Sequence, residues 1–394
     1  MQAKSSSTQP TLLCVVGARP NFMKIAPIMA AFNDAAISIR ALLVHTGQHY
    51  DLAMNQRFFD QLAIPTPTIN LDVGSGSHAQ QTAEIMRRFE PIIDTEHADA
   101  VLVVGDVNST VACALVAVKK GVAVFHVEAG LRSNDRSMPE EINRVLTDQI
   151  SDLLFTTERK ALANLLREGI DANRVYFVGN VMIDTLLASL KQATPVAQTL
   201  AGAMNSELFL ADQQQGFGLV TLHRPANVDK IDVLRRLIGV LREISTSLPL
   251  VFPVHPRTAA ALARHGLASD LDSPRILRLP PQGYLEILGL MSKARLVLTD
   301  SGGIQEETTA LGVPCITLRE STERPITAEL GTNTVVGSDP VKIWCAVQDV
   351  LTTGGKVGQV PELWDGRAAP RIVAHISDWF GLVSSKDESI ATVS

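Results

Sequence analysis

Short apolar runs alternate along this chain with stretches of helical period, and most of the runs stop at a glycine, a histidine or a carboxylate. The runs fall at residues 12–16, 41–44, 100–104, 122–127, 151–157 and 174–178, then again at 218–222, 250–254, 275–279 and 295–299. Nearly continuous hydrophobicity, without a polar residue at every second position, suits strands of a parallel sheet covered on both faces. Between them, helices are expected from Pro20 through Ile28, over 79–93, from about Asn108, from Pro139, and over 159–168, 183–190 and 284–294. Strand and helix taking turns predicts an α/β chain with a doubly wound sheet in each half. The polar stretch 192–198 reads as the connection between halves, and the Gly/Ser-rich 71–78 as a loop.

The strand ends carry the candidate chemistry. The last run leads into Ser301-Gly302-Gly303, with a helix expected to open at Ile304. Glycines let backbone approach a ligand closely, while free N–H groups and the helix dipole favour an anion. Glu306 and Glu307 follow in the first turns; beside a phosphate one of them would have to face elsewhere, and a carboxylate there suits the paired hydroxyls of a ribose. A nucleotide site is the reading. In the first half, Arg19 and Lys24 follow the first strand, where an anion would be met, but no Gly-x-Gly-x-x-Gly is present to hold a dinucleotide. Asp106, Glu128 and the pair Glu140-Glu141 lie at strand ends or a helix start on one edge of the sheet, which suits a general acid/base cluster. The same residues also fit plainer duties, a tight turn for Ser-Gly-Gly and dipole complementation for the acids.

At 394 residues the chain exceeds what one core usually holds, so two domains are expected: 1–190 and 191–371, with a C-terminal helix over 372–394 returning to the first. A net charge of -6 argues against a nucleic-acid partner and leaves a small molecule. Cys14, Cys113, Cys315 and Cys345 stand singly in apolar segments and read as buried thiols of a reducing cytosol. The Ser-rich start lacks a signal-peptide core and no run suits a membrane span, so a cytoplasmic protein with a loose N-terminal tail is expected. His126 and Glu128 share a strand face, and His45 and His49 one strand end, without a third ligand for a metal.

Read together, Gly17-Ala-Arg-Pro20 with Lys24, Thr46-Gly-Gln-His49, Gly105-Asp106, His126-Val-Glu-Ala-Gly-Leu-Arg132, Pro139-Glu-Glu-x-Asn-Arg144, Thr221-x-His-Arg224, Asp300-Ser-Gly-Gly-Ile-Gln-Glu-Glu307, Thr322-Glu-Arg-Pro325 and Asp365-Gly-Arg-Ala-Ala-Pro-Arg371 resemble the non-hydrolysing UDP-N-acetylglucosamine 2-epimerases. The match runs in order through nearly the whole chain. It implies two Rossmann-like domains in the glycosyltransferase-B arrangement with an active site in the cleft, a homodimer, and no cofactor. It also implies epimerisation of UDP-N-acetylglucosamine (UDP-GlcNAc) to UDP-N-acetylmannosamine through loss of UDP to a 2-acetamidoglucal and its re-addition.

By that pattern Asp106, Glu128 and Glu140 are the acid/base candidates and His223 stands at the sugar-diphosphate. Arg19, Lys24, Ser301, Gly302, Gly303 and Arg324 would hold phosphates and sugar, Glu307 the ribose, and Gln282 the uracil region. Gln48 and His49 fit a second UDP-GlcNAc bound as an activator, although Glu84 falls where such members carry an arginine. Ile287 falls where some members carry an aromatic ring, and Pro225-Ala226 differs from the Arg-Glu pair of some members, which offers as an alternative a subgroup acting on a different sugar, such as a UDP-diacetamido-uronate. A hydrolysing relative, a glycosyltransferase and a UDP-sugar binding protein are the remaining alternatives.

Overall fold

The computed structural model describes residues 9–34, 37–47, 61–62, 64–203, 206, 209 and 216–382, the side chain of Arg19 excepted. Gln48 and His49 lie outside the described residues. The chain divides into two compact units, Met1–Thr185 with Asp365–Ser394, and Leu186–Trp364.

The first unit holds a parallel sheet of β1 (Thr11–Val16), β2 (Arg40–His45), β3 (Ile69–Asn70), β4 (Ala100–Val104), β5 (Ala123–Ala129), β6 (Leu153–Thr156) and β7 (Val175–Phe177), in the order β3-β2-β1-β4-β5-β6-β7. Its helices are α1 (Arg19–Asp34), α2 (His78–Thr95), α3 (Asn108–Lys119), α4 (Pro139–Ile150), α5 (Arg159–Arg167) and α6 (Val181–Ser189), along which the unit boundary falls. Successive strand residues face opposite ways, so β1 feeds two cores. Leu12, Cys14 and Val16 pack with Phe22, Ile25 and Ile28 of α1, whereas Leu13 and Val15 pack with Ile85 and Phe89 of α2. That two-sided burial is why its sequence reads as an unbroken apolar run.

The second unit holds β8 (Gly218–Thr221), β9 (Leu250–Pro253), β10 (Ile276–Leu279), β11 (Leu296–Thr299), β12 (Cys315–Thr317) and β13 (Asn333–Val335), ordered β10-β9-β8-β11-β12-β13 and parallel throughout. Its longer helices are α7 (Ile231–Ser247), α8 (Pro256–Arg264), α9 (Tyr284–Lys293), α10 (Gly302–Leu311) and α11 (Pro340–Thr353). In both sheets the strand order reverses once beside the first strand, between β1 and β4 and between β8 and β11. Ligands of such sheets bind at the carboxyl ends of strands at these reversals.

The last helix, α12 (Ala368–Trp379), belongs to the first unit. Its Ile372 and Ile376 enter the same core as α1, and Asp184 of α6 accepts hydrogen bonds from the N–H groups of Ala368 (3.1 Å) and Ala369 (2.7 Å), capping it from a distance.

Several expectations need correction. The C-terminal helix begins at Ala368 and ends at Trp379, and 383–394 lie outside the described residues. The helix after β11 opens at Gly302, not Ile304, because the first helical N–H groups need no intrahelical partner and glycine costs little there. The stretch 192–198 carries a turn of helix, Val196–Thr199, rather than marking the division, which falls at Thr185. Cys14, Cys113 and Cys315 are buried, but Cys345 is exposed: Ile343, Val347 and Val350 make the inward stripe of α11, and residue 345 projects from the other side. No helix among the described residues is long and apolar enough to cross a membrane.

Candidate active site

In the first unit the acids gather where β4 and β5 end. Gly105 follows β4 with a left-handed φ of 68°, and a Cβ there would stand 2.7 Å from Lys24 Nζ, so glycine serves both the turn and the lysine's approach. Lys24, reaching across from α1, ion-pairs with Glu128 at 2.7 Å, both side chains being nearly buried. Glu128 itself has a φ of 72°, and the pairing of β5 with β6 shifts register there. A non-glycine residue in this region is strained, and such strain often marks a site.

Asp106 is partly exposed and ion-pairs with Arg144 of α4. The same guanidinium holds Glu141, whose carboxylate accepts the N–H groups of Ser133 (3.0 Å) and Asn134 (2.9 Å). Burial pushes Glu141 up, but those N–H groups and Arg144 outweigh it and hold the carboxyl below its ordinary range. Glu140, the neighbour of Glu141, is half-buried in the first turn of α4, and its side chain makes no hydrogen bond or ion pair with another described residue. Arg19 opens α1, where its backbone follows β1.

In the second unit the elements at the strand reversal converge on Asp300, fully buried after β11. It accepts the N–H groups of His223 (3.1 Å) and Arg224 (2.9 Å), the Asn227 amide (3.1 Å), and His223 Nδ1 at 2.9 Å. Burial opposes its ionisation, yet the imidazole and backbone donors hold it below the usual range. The aspartate thereby fixes the ring, on a side chain 38% exposed.

Ser301, in an extended conformation, precedes α10, and its hydroxyl makes no capping bond. Gly302 and Gly303 form the first turn. A Cβ on Gly302 would come within 2.6 Å of Glu323 Oε1, so that carboxylate leans on the helix start. Glu323 is itself held by Arg319 (2.6 Å) and Arg224 (3.5 Å); burial works against ionisation, but Arg324, Arg319 and Arg224 keep the carboxyl far below its ordinary value.

Glu306 pairs with Arg324 at 3.0 Å, both buried. Glu307 points inward and accepts from Tyr284 Oη at 3.0 Å. Gln282 folds its amide onto the Pro280 carbonyl (2.8 Å). Burial, with the Glu306 charge adding to it and the Tyr284 hydrogen bond opposing it, pushes Glu307 up to about 8. Between the ordinary value of about 4.5 and 8 the folded chain then holds a proton that the unfolded chain has lost, so this carboxyl's contribution to stability falls as pH rises through that window. Glu307→Gln is expected to raise the melting temperature more at pH 8 than at pH 5; an equal effect at both would contradict the burial argument.

The structure thus brings Lys24 to Glu128, and His223 and Arg224 to Asp300. The chain's own motifs contained Arg144, Glu323 and Asp300, but only their contacts reveal what they hold. Among the described residues no group of three His, Cys, Asp or Glu side chains is arranged to hold a metal.

The profile of the UDP-N-acetylglucosamine 2-epimerase family matches residues 33–377. A UDP-N-acetylglucosamine 2-epimerase of Methanocaldococcus jannaschii is 42% identical over 92% of this chain and 97% of its own. A UDP-2,3-diacetamido-2,3-dideoxy-D-glucuronate 2-epimerase of Pseudomonas aeruginosa is 40% identical over 93% and 99%. The crystal structure of the M. jannaschii UDP-GlcNAc 2-epimerase in complex with UDP-GlcNAc and UDP superposes with a TM-score of 0.83 at 41% identity, covering 93% of this chain and 99% of that one. With the family profile spanning most of the chain and relatives at 40% identity or more over nearly its whole length, the chain belongs to the UDP-N-acetylglucosamine 2-epimerase family.

Proposed function

We propose that this protein is a non-hydrolysing epimerase that interconverts UDP-GlcNAc and UDP-N-acetylmannosamine. The C2 hydrogen of the sugar is not acidified by a carbonyl, so its removal needs a concurrent departure. As a carboxylate takes the C2 proton, the bond from C1 to the UDP oxygen breaks and its electrons leave with UDP, giving the 2-acetamidoglucal. Re-addition of UDP at C1 with protonation of C2 on the opposite face gives the epimer. No water is consumed.

The observation that carries this reading is the distinct setting of the three acids: Glu128 on Lys24, Asp106 on Arg144, and Glu140 without such a partner. Environments that separate carboxylates in this way suit one site that both takes and returns protons. In the second unit, the start of α10 with Ser301, Gly302 and Gly303 is suited to the departing diphosphate, Arg324 and His223 add positive charge or a hydrogen bond to it, and Glu307 takes the ribose hydroxyls. Arg19 and Lys24 complete the anion contacts, and Gln282 meets the uracil. The family resemblance extends to a cytoplasmic homodimer serving surface polysaccharide synthesis, and to Gln48 and His49 as contacts of an activating UDP-GlcNAc.

The similarity to the diacetamido-uronate epimerase, nearly equal to that with the UDP-GlcNAc enzymes, favours a second reading in which the same chemistry acts on that uronate. Chromatography of products from each UDP-sugar decides between them. UDP-N-acetylmannosamine from UDP-GlcNAc is expected; free N-acetylmannosamine with UDP would identify a hydrolysing enzyme, and turnover of the uronate alone would establish the second reading.

A further inference from the structure

We propose that His126 and Asp148, neither of which reaches the substrate, form a positioning pair that sets the carboxylates of Asp106 and Glu128 for proton transfer; the inference rests on the epimerase reading above. His126 is on β5 and fully buried, with Nδ1 2.6 Å from Asp148 Oδ1 and Nε2 2.8 Å from the Gly105 carbonyl oxygen. A carbonyl only accepts, so Nε2 carries hydrogen. The second oxygen of Asp148 accepts the Gly130 N–H at 3.1 Å and Arg132 Nη1 at 2.8 Å, donors that suit a carboxylate. Nδ1 and Asp148 Oδ1 share the remaining hydrogen, so every polar atom of the pair is engaged and the pair is sealed from water.

Its contacts bracket the acids. Gly105 immediately precedes Asp106, and Gly130 follows Glu128 by two residues. Gly105, Glu128 and Gly130 all have left-handed φ, of 68°, 72° and 78°. The register of β5 slips at Glu128, so the sheet ladder alone does not fix this turn. The pair ties both strand ends to α4, the helix that also carries Arg144 and Glu140. Stability alone is a weak reason for such a pair, because buried polar or ionic partners are often no more stabilising than apolar side chains of similar shape. Rotation at either turn would move a carboxylate, and a displacement of about 1 Å can cost roughly 100-fold in rate.

The test compares His126→Phe, Asp148→Ala and Asp148→Asn in the full chain. Rate of deuterium entry at C2 of UDP-GlcNAc, KM, calorimetric UDP affinity and melting temperature are read for each. His126→Phe and Asp148→Ala are expected to slow exchange by about 10- to 100-fold at saturating substrate. KM and UDP affinity should stay within about threefold, because the loss is confined to the reacting centre. In Asp148→Asn the amide oxygen can face Gly130 and Arg132 while its NH2 donates to Nδ1, leaving Nε2–H on Gly105. That variant should recover most of the rate. Unchanged exchange in both His126→Phe and Asp148→Ala would overturn the pair, as would rate, UDP affinity and melting temperature falling together in all three variants. Should His126→Phe fail to fold, the contrast between Asp148→Ala and Asp148→Asn decides. No exchange in the unsubstituted protein would instead overturn the epimerase reading beneath it.

Discussion

Asp106→Asn, Glu128→Gln and Glu140→Gln are each expected to slow epimerisation by about 100-fold or more, the range of a lost general acid or base, with little change in UDP affinity. Affinity should be largely spared because most of the proposed diphosphate contacts, Ser301 to Gly303 and Arg324, are other residues; Glu128→Gln, which frees Lys24, should disturb it most of the three. The three should differ in what they do to the fold. Glu128→Gln leaves the buried Lys24 without its carboxylate and should lower the melting temperature most. In Asp106→Asn the Arg144 guanidinium keeps Glu141, so the cost is smaller. Glu140→Gln breaks no such pair and should melt as the unsubstituted protein does. Equal losses of stability with intact activity would reverse this assignment; full activity in all three would remove it.

Arg324→Ala should act oppositely, weakening UDP by roughly 10- to 100-fold, as expected for a charge-assisted hydrogen bond to phosphate. The substitution has a second consequence, since Arg324 is paired with the buried Glu306. Removing one partner of such a pair leaves a buried charge and costs stability whatever the ligand does. Arg324→Ala combined with Glu306→Gln separates the effects: melting temperature should recover while UDP affinity stays low. Recovery of both would assign Arg324 to the fold and not to the ligand. Isothermal titration of UDP, with thermal melts of each variant, reads the two quantities independently.

Much of this site is visible in the sequence because it sits at strand ends. Continuous apolar runs locate the strands, and whatever follows them, Gly105-Asp106 or Ser301-Gly302, must lie at the ligand-binding edge of a parallel sheet. The same rule marks Glu128. Its left-handed backbone is not legible, since nothing about Val-Glu-Ala announces a register shift. Pairings across long stretches of chain were equally hidden. Asp106 and Arg144 are separated by 38 residues and meet only because α4 packs against β5 and α3, the elements that flank the end of β4. Glu306 and Glu307 posed an evident conflict with a phosphate; the resolution, one on Arg324 and the other on Tyr284, depends on which helix faces are buried. Cys345 shows the converse limit: an apolar neighbourhood in sequence is shared between both sides of a helix.

The most direct test of the account is proton NMR of the purified protein with UDP-GlcNAc in heavy water, following the C2 and anomeric signals. Deuterium is expected to enter C2 as UDP-N-acetylmannosamine appears, with the sugar remaining linked to UDP. Epimerisation with C2 hydrogen fully retained, or release of free sugar and UDP in step with turnover, would contradict it.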